Sequence, residues 1–572
     1  MTTARTERSA RILRSDVALR PYPERVTDDL IHWAGAKPDA VFLAERDDDV
    51  WRTITYAQAL ERVRRIGAAL LDAGGSPERP LAIVAENGID HALVTLGAIY
   101  AGVPASPIST GYVRPGSDPA RLHALLEVLA PFAAFVPDAA HAERFAETAP
   151  YVPIFAGAPQ LAGDGGGGSD PDFADCANAA LTADSVAKIL FTSGSTGTPK
   201  GVMITHRMLC ANQTMVEQVW PDAVRDPVLV DWAPWSHVAA GNKNFGIVLR
   251  NGGTMYVDAG KPAPEAFATT LRNLREIAPT FYFNVPRGWA LLFEALEADD
   301  ALATTFFSRL RILLNAGASI PESLRARLDA LARRYAGRDV PVVSAWGLTE
   351  TAPMATAVWG ERPAARETVG TPVPGVEVKL APFEDRFELR VRGPSVTPGY
   401  WRNADATAAA FDEDGFFKTG DAGALLDEHD PSRGIVFGGR LAENFKLSSG
   451  TWVNAGLLRL DVIEAGEGAI EDVVFAGADR DELTAIVFVP RALANDASAP
   501  ERVRAALARH NARNAASSTR VARALIADAP PDGARGEITD KGSVNQRRVL
   551  QNRAADVARL YTSPPPDGVL SL

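Results

Sequence analysis

Ile189-Leu190-Phe191-Thr192-Ser193-Gly194-Ser195-Thr196-Gly197-Thr198-Pro199-Lys200-Gly201 decides the reading of this chain. The apolar run from Val186 to Phe191 predicts a strand, and a loop of alternating hydroxyl and glycine residues closed by a lysine follows it directly. In such a loop, backbone N–H groups approach phosphate oxygens with no Cβ in the way. The hydroxyls add donors and the lysine adds charge. The natural parse is a polyphosphate loop with Thr192, Ser193, Gly194, Ser195, Thr196, Gly197 and Lys200 as its contacts; a solvated Ser/Thr/Gly linker is the bland alternative. A Walker loop needs G-x-x-x-x-G-K-[ST], whereas Lys200 follows Pro199. A nucleophile elbow needs G-x-S-x-G, whereas Gly194 and Gly197 are three apart.

Outward from the loop, composition sets bounds. The chain has 572 residues, 46% of them hydrophobic, so it forms two to four domains or subdomains and buries a sizeable core. With 59 basic and 71 acidic residues the net charge is −12, which argues against non-specific binding to nucleic acid or anionic membranes. Cys176 and Cys210 are the two cysteines. They supply neither a disulfide framework nor a cysteine-based zinc site, and read as small apolar fillers in a reducing cytoplasm. Residues 1–24 carry Arg5, Arg8, Arg11 and Arg14 without an apolar signal region, and read as an arm that docks onto the body. No run reaches the roughly 20 apolar residues of a membrane span, so a cytoplasmic protein is expected.

Strand and helix signals alternate through most of the chain. Strands are predicted at Leu81–Val84, Ala133–Pro137, Thr254–Val257, Phe281–Val285 and Leu310–Leu314, and helices at Asp90–Ala101 and Glu265–Ala278. This is doubly wound α/β grammar, in which ligand loops follow strand C-termini. Phe387–Gly393 alternates with period two and predicts antiparallel structure. Beyond Gly439 a smaller α+β unit is predicted, with strands at Val473–Phe475 and Leu483–Val489, a helix from Glu501 to about His510 and a final helix at Asn545–Tyr561. The expected class is α/β: a large domain over 25–440, with two doubly wound sheets and a β-barrel-like subdomain, and a small mobile α+β domain over 441–572.

Further motifs follow in order. Gly317-Ala318-Ser319 forms a small-residue turn after a predicted strand, Trp346-Gly347-Leu348-Thr349-Glu350 sets a hydroxyl and a carboxylate beside an aromatic, and Thr419-Gly420-Asp421 and Gly439-Arg440 come next. Lys541 lies in the polar stretch Gly536–Gly542. Taken together, these motifs and the phosphate loop resemble the adenylate-forming superfamily of acyl-CoA synthetases, peptide-synthetase adenylation domains and luciferases over almost the whole chain. The resemblance implies that Gly317, Ala318 and Ser319 hold adenine beside Trp346 and Gly347, that Thr349 bonds the α-phosphate, and that Glu350, with Thr196, holds magnesium. It implies that Asp421 and Arg440 hold the ribose, that Lys541 is catalytic in adenylation, and that Lys446 serves thioester formation. Ala442 stands at the hinge, where the family usually has aspartate or lysine; Ser448, Ser449 and Gly450 accompany Lys446 on the face toward CoA.

The stretch from Asp231 to Gly246 corresponds to the acyl pocket, with Trp235, His237, Asn242 and Phe245 as its expected lining. Two tryptophans, a histidine and two asparagines suit a flat ring with a polar substituent better than an alkyl chain. This stretch, Phe445–Val453 and Thr539–Gln546 most resemble feruloyl-CoA synthetases. The implied reaction joins a carboxylic acid to CoA through an acyl-adenylate, with ATP and Mg2+, in a monomer or homodimer that binds neither nucleic acid nor membrane. His237 is expected to line the pocket rather than act as a base, because adenylation uses an ionised carboxylate. Alternatives are another aryl or medium-chain acid, a carrier-protein thiol as acceptor, or an inactive nucleotide-binding relative. No kinase motif set is present, and no carrier-protein domain follows Leu572, which favours free CoA.

Overall fold

The computed structural model describes residues 10–158, 169–193, 199–315, 322–359, 368–384, 386–491, 493–494, 496–533, 535–538 and 544–572. The phosphate-loop strand Val186–Ser193 lies in a six-stranded sheet in the order Ile154–Phe155, Ala133–Phe135, Leu81–Ile83, Ala105–Pro107, Val186–Ser193, Pro199–Thr205. All neighbours are parallel except the last pair, a hairpin in which Thr192 faces Lys200. The inner strands Leu81–Ile83, Ala105–Pro107 and Ala133–Phe135 are short and fully buried, as parallel strands covered by helices must be.

The second sheet comes in two parts. One has the order Val228–Asp231, Thr254–Val257, Val41–Asp47, Val50–Thr55; the other has Phe281–Asn284, Ile312–Asn315, Val342–Val343. They meet at Thr280, whose N–H donates to Val228 O (2.9 Å) while its hydroxyl oxygen accepts from Val228 N–H (2.9 Å). A side chain takes over a ladder bond there and interrupts the sheet.

A five-stranded antiparallel sheet follows, in the order Arg11–Arg14, Glu377–Phe383, Arg386–Arg392, Phe417–Leu425, Ile435–Arg440. The arm thus supplies an edge strand, with Arg11 opposite Leu380. Beyond Arg440, a four-stranded sheet (Asp472–Ala476, Leu483–Phe488, Val521–Ile526, Val569–Ser571) packs on the helices Ala455–Ala465 and Ala499–Arg513. This small domain has its own apolar core, including Val453, Val473, Phe475, Val503 and Val521.

Two expectations change. The single final helix is two, Gln546–Asn552 and Ala554–Leu560. They break at Arg553, whose guanidinium donates to Glu537 Oε2 (2.8 Å) and to the carbonyls of Ala529 (2.9 Å) and Pro530 (2.8 Å). Cys210 is buried as expected, but Cys176 is exposed, on the outer face of the helix Pro171–Ala180. Among the described residues no helix is long and apolar enough to cross a membrane.

Candidate functional site

The phosphate hairpin brings Lys200 to the edge of a buried acidic site. Lys200 Nζ stands 5.0 Å from the centroid of the Tyr400 ring, and the Tyr400 hydroxyl donates to Glu350 Oε1 (3.1 Å). The segment Thr397–Trp401 clamps these groups together. Its Thr397 N–H donates to Glu350 O (2.8 Å), its Gly399 O accepts from Met203 N–H (3.2 Å), and its Trp401 N–H donates to Gly201 O (2.7 Å). The expected phosphate and magnesium residues therefore meet across one tyrosine. Sequence reasoning missed Tyr400, whose Gly399-Tyr400-Trp401 setting reads only as an aromatic turn.

Trp346, Thr349 and Glu350 are buried around a tight turn. The strand Ala345–Trp346 runs into a 3₁₀ turn, Thr349–Thr351, closed by Leu348 N–H donating to Thr351 Oγ1 (2.8 Å). Gly347 makes the turn possible, because a Cβ there would stand 1.6 Å from Pro353 O. Trp346 Nε1 donates to Asp421 Oδ2 (2.9 Å), and Arg440 Nε pairs with Asp421 Oδ1 at 3.1 Å. Arg440 is itself aimed by its Nη1 donating to Thr419 O (3.1 Å). Burial pushes the Asp421 carboxyl up to about 6, against the pull of Arg440 and the indole N–H. A carboxylate oriented in this way accepts two O–H bonds, which suits a vicinal diol such as a ribose.

The acyl-side segment forms a π-helical turn, Ala239–Asn244, running into the helix Phe245–Asn251. His237 caps it: its carbonyl accepts from Ala240 N–H (3.2 Å) and Gly241 N–H (2.8 Å), and its Nδ1 from Ala239 N–H (3.3 Å). Lys188 Nζ, buried on the phosphate-loop strand, donates to Gly241 O (2.7 Å) and Asn242 Oδ1 (3.3 Å). Gln213 Nε2 donates to the carbonyls of Asn242 (3.0 Å) and Lys243 (3.3 Å). The carbonyls that an i→i+5 pattern leaves over are thus met from two other elements. Trp235 and Phe245 lie in the main core, edge to face at 5.2 Å, and Trp235 also meets His91 edge to face at 5.3 Å. His237 and Asn242 shape the turn. Lys188 carried a signal that sequence reasoning passed over: a charge inside an otherwise apolar strand.

The C-terminal residues lie apart from this cluster. After Arg440, a turn is closed by Glu443 N–H (3.1 Å) and Asn444 N–H (3.2 Å), both donating to Arg440 O, with Ala442 exposed within it. Lys446 pairs with Glu384 and stands 4.8 Å from the Trp452 ring centroid, while the Arg386 guanidinium covers the same ring at 4.2 Å. The Ser448 hydroxyl bonds Asp481, Ser449 Oγ donates to Thr451 Oγ1 (3.0 Å), and Gly450, at φ +78°, donates its N–H to Leu447 O (2.8 Å). Glu384 lies at the hairpin tip, beyond the Phe383–Arg386 pair, and Leu389, opposite Asp421, is three residues inside that pair, so Lys446 is held about 10 Å or more along the strand from the Asp421 register. Gly194, Ser195, Thr196, Gly197, Gly317, Ala318, Ser319 and Lys541, and the side chain of Ser193, lie outside the described residues.

The family model described as AMP-binding enzyme matches residues 30–401. The chain belongs to the AMP-binding enzyme family. A second model, the AMP-binding enzyme C-terminal domain, matches residues 445–564. The chain is similar to a feruloyl-CoA synthase of Amycolatopsis sp, 30% identical over 382 residues that cover 65% of this chain and 71% of the relative. It is also similar to a 3-[(3aS,4S,7aS)-7a-methyl-1,5-dioxo-octahydro-1H-inden-4-yl]propanoyl:CoA ligase of Rhodococcus jostii, 27% identical over 403 residues, 67% of this chain and 74% of the relative. The o-succinylbenzoate CoA synthetase of Bacillus subtilis, in complex with its acyl-adenylate intermediate, has the same fold. That likeness has a TM-score of 0.72 at 17% identity and covers 93% of this chain and 98% of the other. This AMP-binding enzyme therefore has the large N-terminal and small C-terminal domains of adenylate-forming enzymes.

Proposed function

We propose that this AMP-binding enzyme is an acid–CoA ligase that activates an aromatic acid of the hydroxycinnamic type, ferulic acid foremost. The coarser statement, an adenylate-forming acid–thiol ligase, follows from the family. The observation that carries the mechanism is that Lys200–Tyr400–Glu350 and Trp346–Asp421–Arg440, the residues expected at the phosphates and at the ribose, meet on the one turn that holds Trp346 and Glu350. A carboxylate oxygen of the acid attacks the α-phosphorus of ATP, the bond to the β-phosphate oxygen breaks, and pyrophosphate leaves. The CoA sulfur then attacks the acyl carbon, its proton is lost, and AMP departs with the former carboxylate oxygen.

Asp421 and Arg440 fix the ribose, Lys200 sets charge against the polyphosphate, and Thr349 stands at the α-phosphate. The reaction then proceeds by positioning and preorganised charge. Glu350, fixed by the Tyr400 hydroxyl, is a hard oxygen donor of the kind magnesium takes, and Thr196 would join it. Held there, the ion would supply neutralising charge to the polyphosphate. Lys541 serves adenylation; Lys446, with Ser448, Ser449 and Gly450, serves CoA after rotation about Ala442.

The aromatic preference is supported by the 30% identity to feruloyl-CoA synthase and by the aromatic and amide content of the 231–246 segment. With ATP, magnesium and CoA, ferulate or p-coumarate is expected to show a higher kcat/KM than octanoate, read by AMP release and thioester absorbance. A higher kcat/KM for octanoate would reject the aromatic assignment.

A further inference from the structure

We propose that Lys243 determines which acid this enzyme accepts: its buried amine pairs with an oxygen acceptor, a phenolic hydroxyl or a second carboxylate, at the end of the acid remote from the activated carboxylate. The inference rests on the acid-ligase reading above and narrows its substrate class.

Lys243 is 3% exposed, and its Nζ has no hydrogen-bond partner among the described residues. Two aromatic faces flank the amine, with ring centroids 4.8 Å (Phe283) and 5.6 Å (Phe281) away. The carboxylate that influences it, Asp231, is occupied elsewhere: Oδ2 accepts from Asn244 Nδ2 (3.0 Å) and Oδ1 from Ala233 N–H (3.3 Å). Burial draws the Lys243 amine down to about 7 and pushes Asp231 up to about 6, so the pair does not compensate the desolvation of either group. A buried amine without a partner keeps its full desolvation penalty, and an acceptor arriving from outside the chain offsets it.

The contrast with Lys188 is instructive. It too is buried at this turn, but its amine is satisfied by Gly241 O and Asn242 Oδ1. Lys188 builds the turn, whereas the carbonyl of Lys243 is what Gln213 holds, and its amine is left for another group.

The position of Lys243 ties it to the chemistry. Gln213, which holds the Lys243 carbonyl, sits on the helix His206–Val219 next to Asn212, and Asn212 Nδ2 donates to Met354 O (2.9 Å) just beyond the Thr349–Thr351 turn. On the other side, Phe283 is in the strand Phe281–Asn284, paired in parallel with Ile312–Asn315. That second strand leads into Gly317-Ala318-Ser319, the expected adenine turn. Lys243 thus stands between the elements that lead to the Thr349–Thr351 turn and to the expected adenine turn.

The test measures kcat/KM for AMP release with two matched pairs, 4-hydroxycinnamate against cinnamate and suberate against octanoate. The proteins are the unmutated enzyme, Lys243→Met and Lys243→Gln. The unmutated enzyme is expected to prefer the acceptor-bearing acid in at least one pair; which pair responds distinguishes a hydroxyl from a carboxylate. Lys243→Met should lower that preference about 10- to 10²-fold, the worth of one hydrogen bond to a charged group. Lys243→Gln keeps a donor and should fall between. Partial unfolding would not move the ratio, because both acids report on the same folded population. Equal losses on both members of each pair would make Lys243 structural and overturn the proposal, as would an unmutated enzyme indifferent to the remote oxygen in both pairs. Preference for octanoate over cinnamate would reject the aromatic reading and leave the suberate-to-octanoate ratio to decide the role of Lys243. No AMP from any of the four acids would reject the ligase reading, and this inference with it.

Discussion

Lys541→Ala is expected to slow acyl-adenylate formation by about 10²–10³-fold, the loss of one preorganised charge donor. It should leave thioester formation from supplied acyl-adenylate largely intact, and Lys446→Ala should do the reverse. The structure gives the division a physical basis. Lys446 is engaged by Glu384 at the far end of the Glu377–Arg392 hairpin, beside Trp452 and Arg386, and away from Asp421. In this arrangement it cannot serve the nucleotide site. On the proposed mechanism it reaches that site when the small domain turns about the exposed turn after Arg440. The Lys446–Glu384 pair is half exposed and therefore weak, so it does not lock the domain. Because such rotations can limit turnover, each half-reaction must be measured in single-turnover mode. Equal loss of both half-reactions in both variants would reject the division.

The second large effect is expected at Gly347. A methyl group there would overlap the Pro353 carbonyl oxygen at 1.6 Å and stand 2.7 Å from Thr351 Oγ1. The carbonyl belongs to the backbone, so the clash is relieved only by opening the turn that fixes Trp346, Thr349 and Glu350. Gly347→Ala should cost about 3 kcal/mol in stability, at the upper end for overpacking. It should also slow adenylate formation about 10²-fold through misplacement of the motif. Urea unfolding and single-turnover adenylation read the two effects. Gly35→Ala, on the helix Thr27–Ala36, is the control: a Cβ there would have no atom within 4 Å and the backbone is not left-handed. An unchanged unfolding midpoint in Gly347→Ala would contradict the account of the turn.

Much of this arrangement was legible because its causes are local. The strand Thr254–Val257 has the bounds its apolar run predicts, and the phosphate-loop strand starts at Val186 as its hydropathy requires. Trp346, Glu350, Asp421 and Arg440 were legible by resemblance, and the structure brings them into one cluster. What was not legible depends on distant partners. The π-helical turn at Ala239–Asn244 exists because Lys188 and Gln213, 53 and 29 residues from their acceptors in sequence, meet its carbonyls. Tyr400 joins Lys200 to Glu350 only once three separated segments are folded together. The Asn545–Tyr561 periodicity runs through Arg553 without a sign of the break, because the groups that hold Arg553 lie between Ala529 and Glu537.

The nucleotide product tests the central claim most directly. With ATP, magnesium, CoA and an accepted acid, the account predicts AMP and pyrophosphate in amounts equal to the thioester formed, and no turnover when the acid is omitted. ADP as the nucleotide product would contradict it.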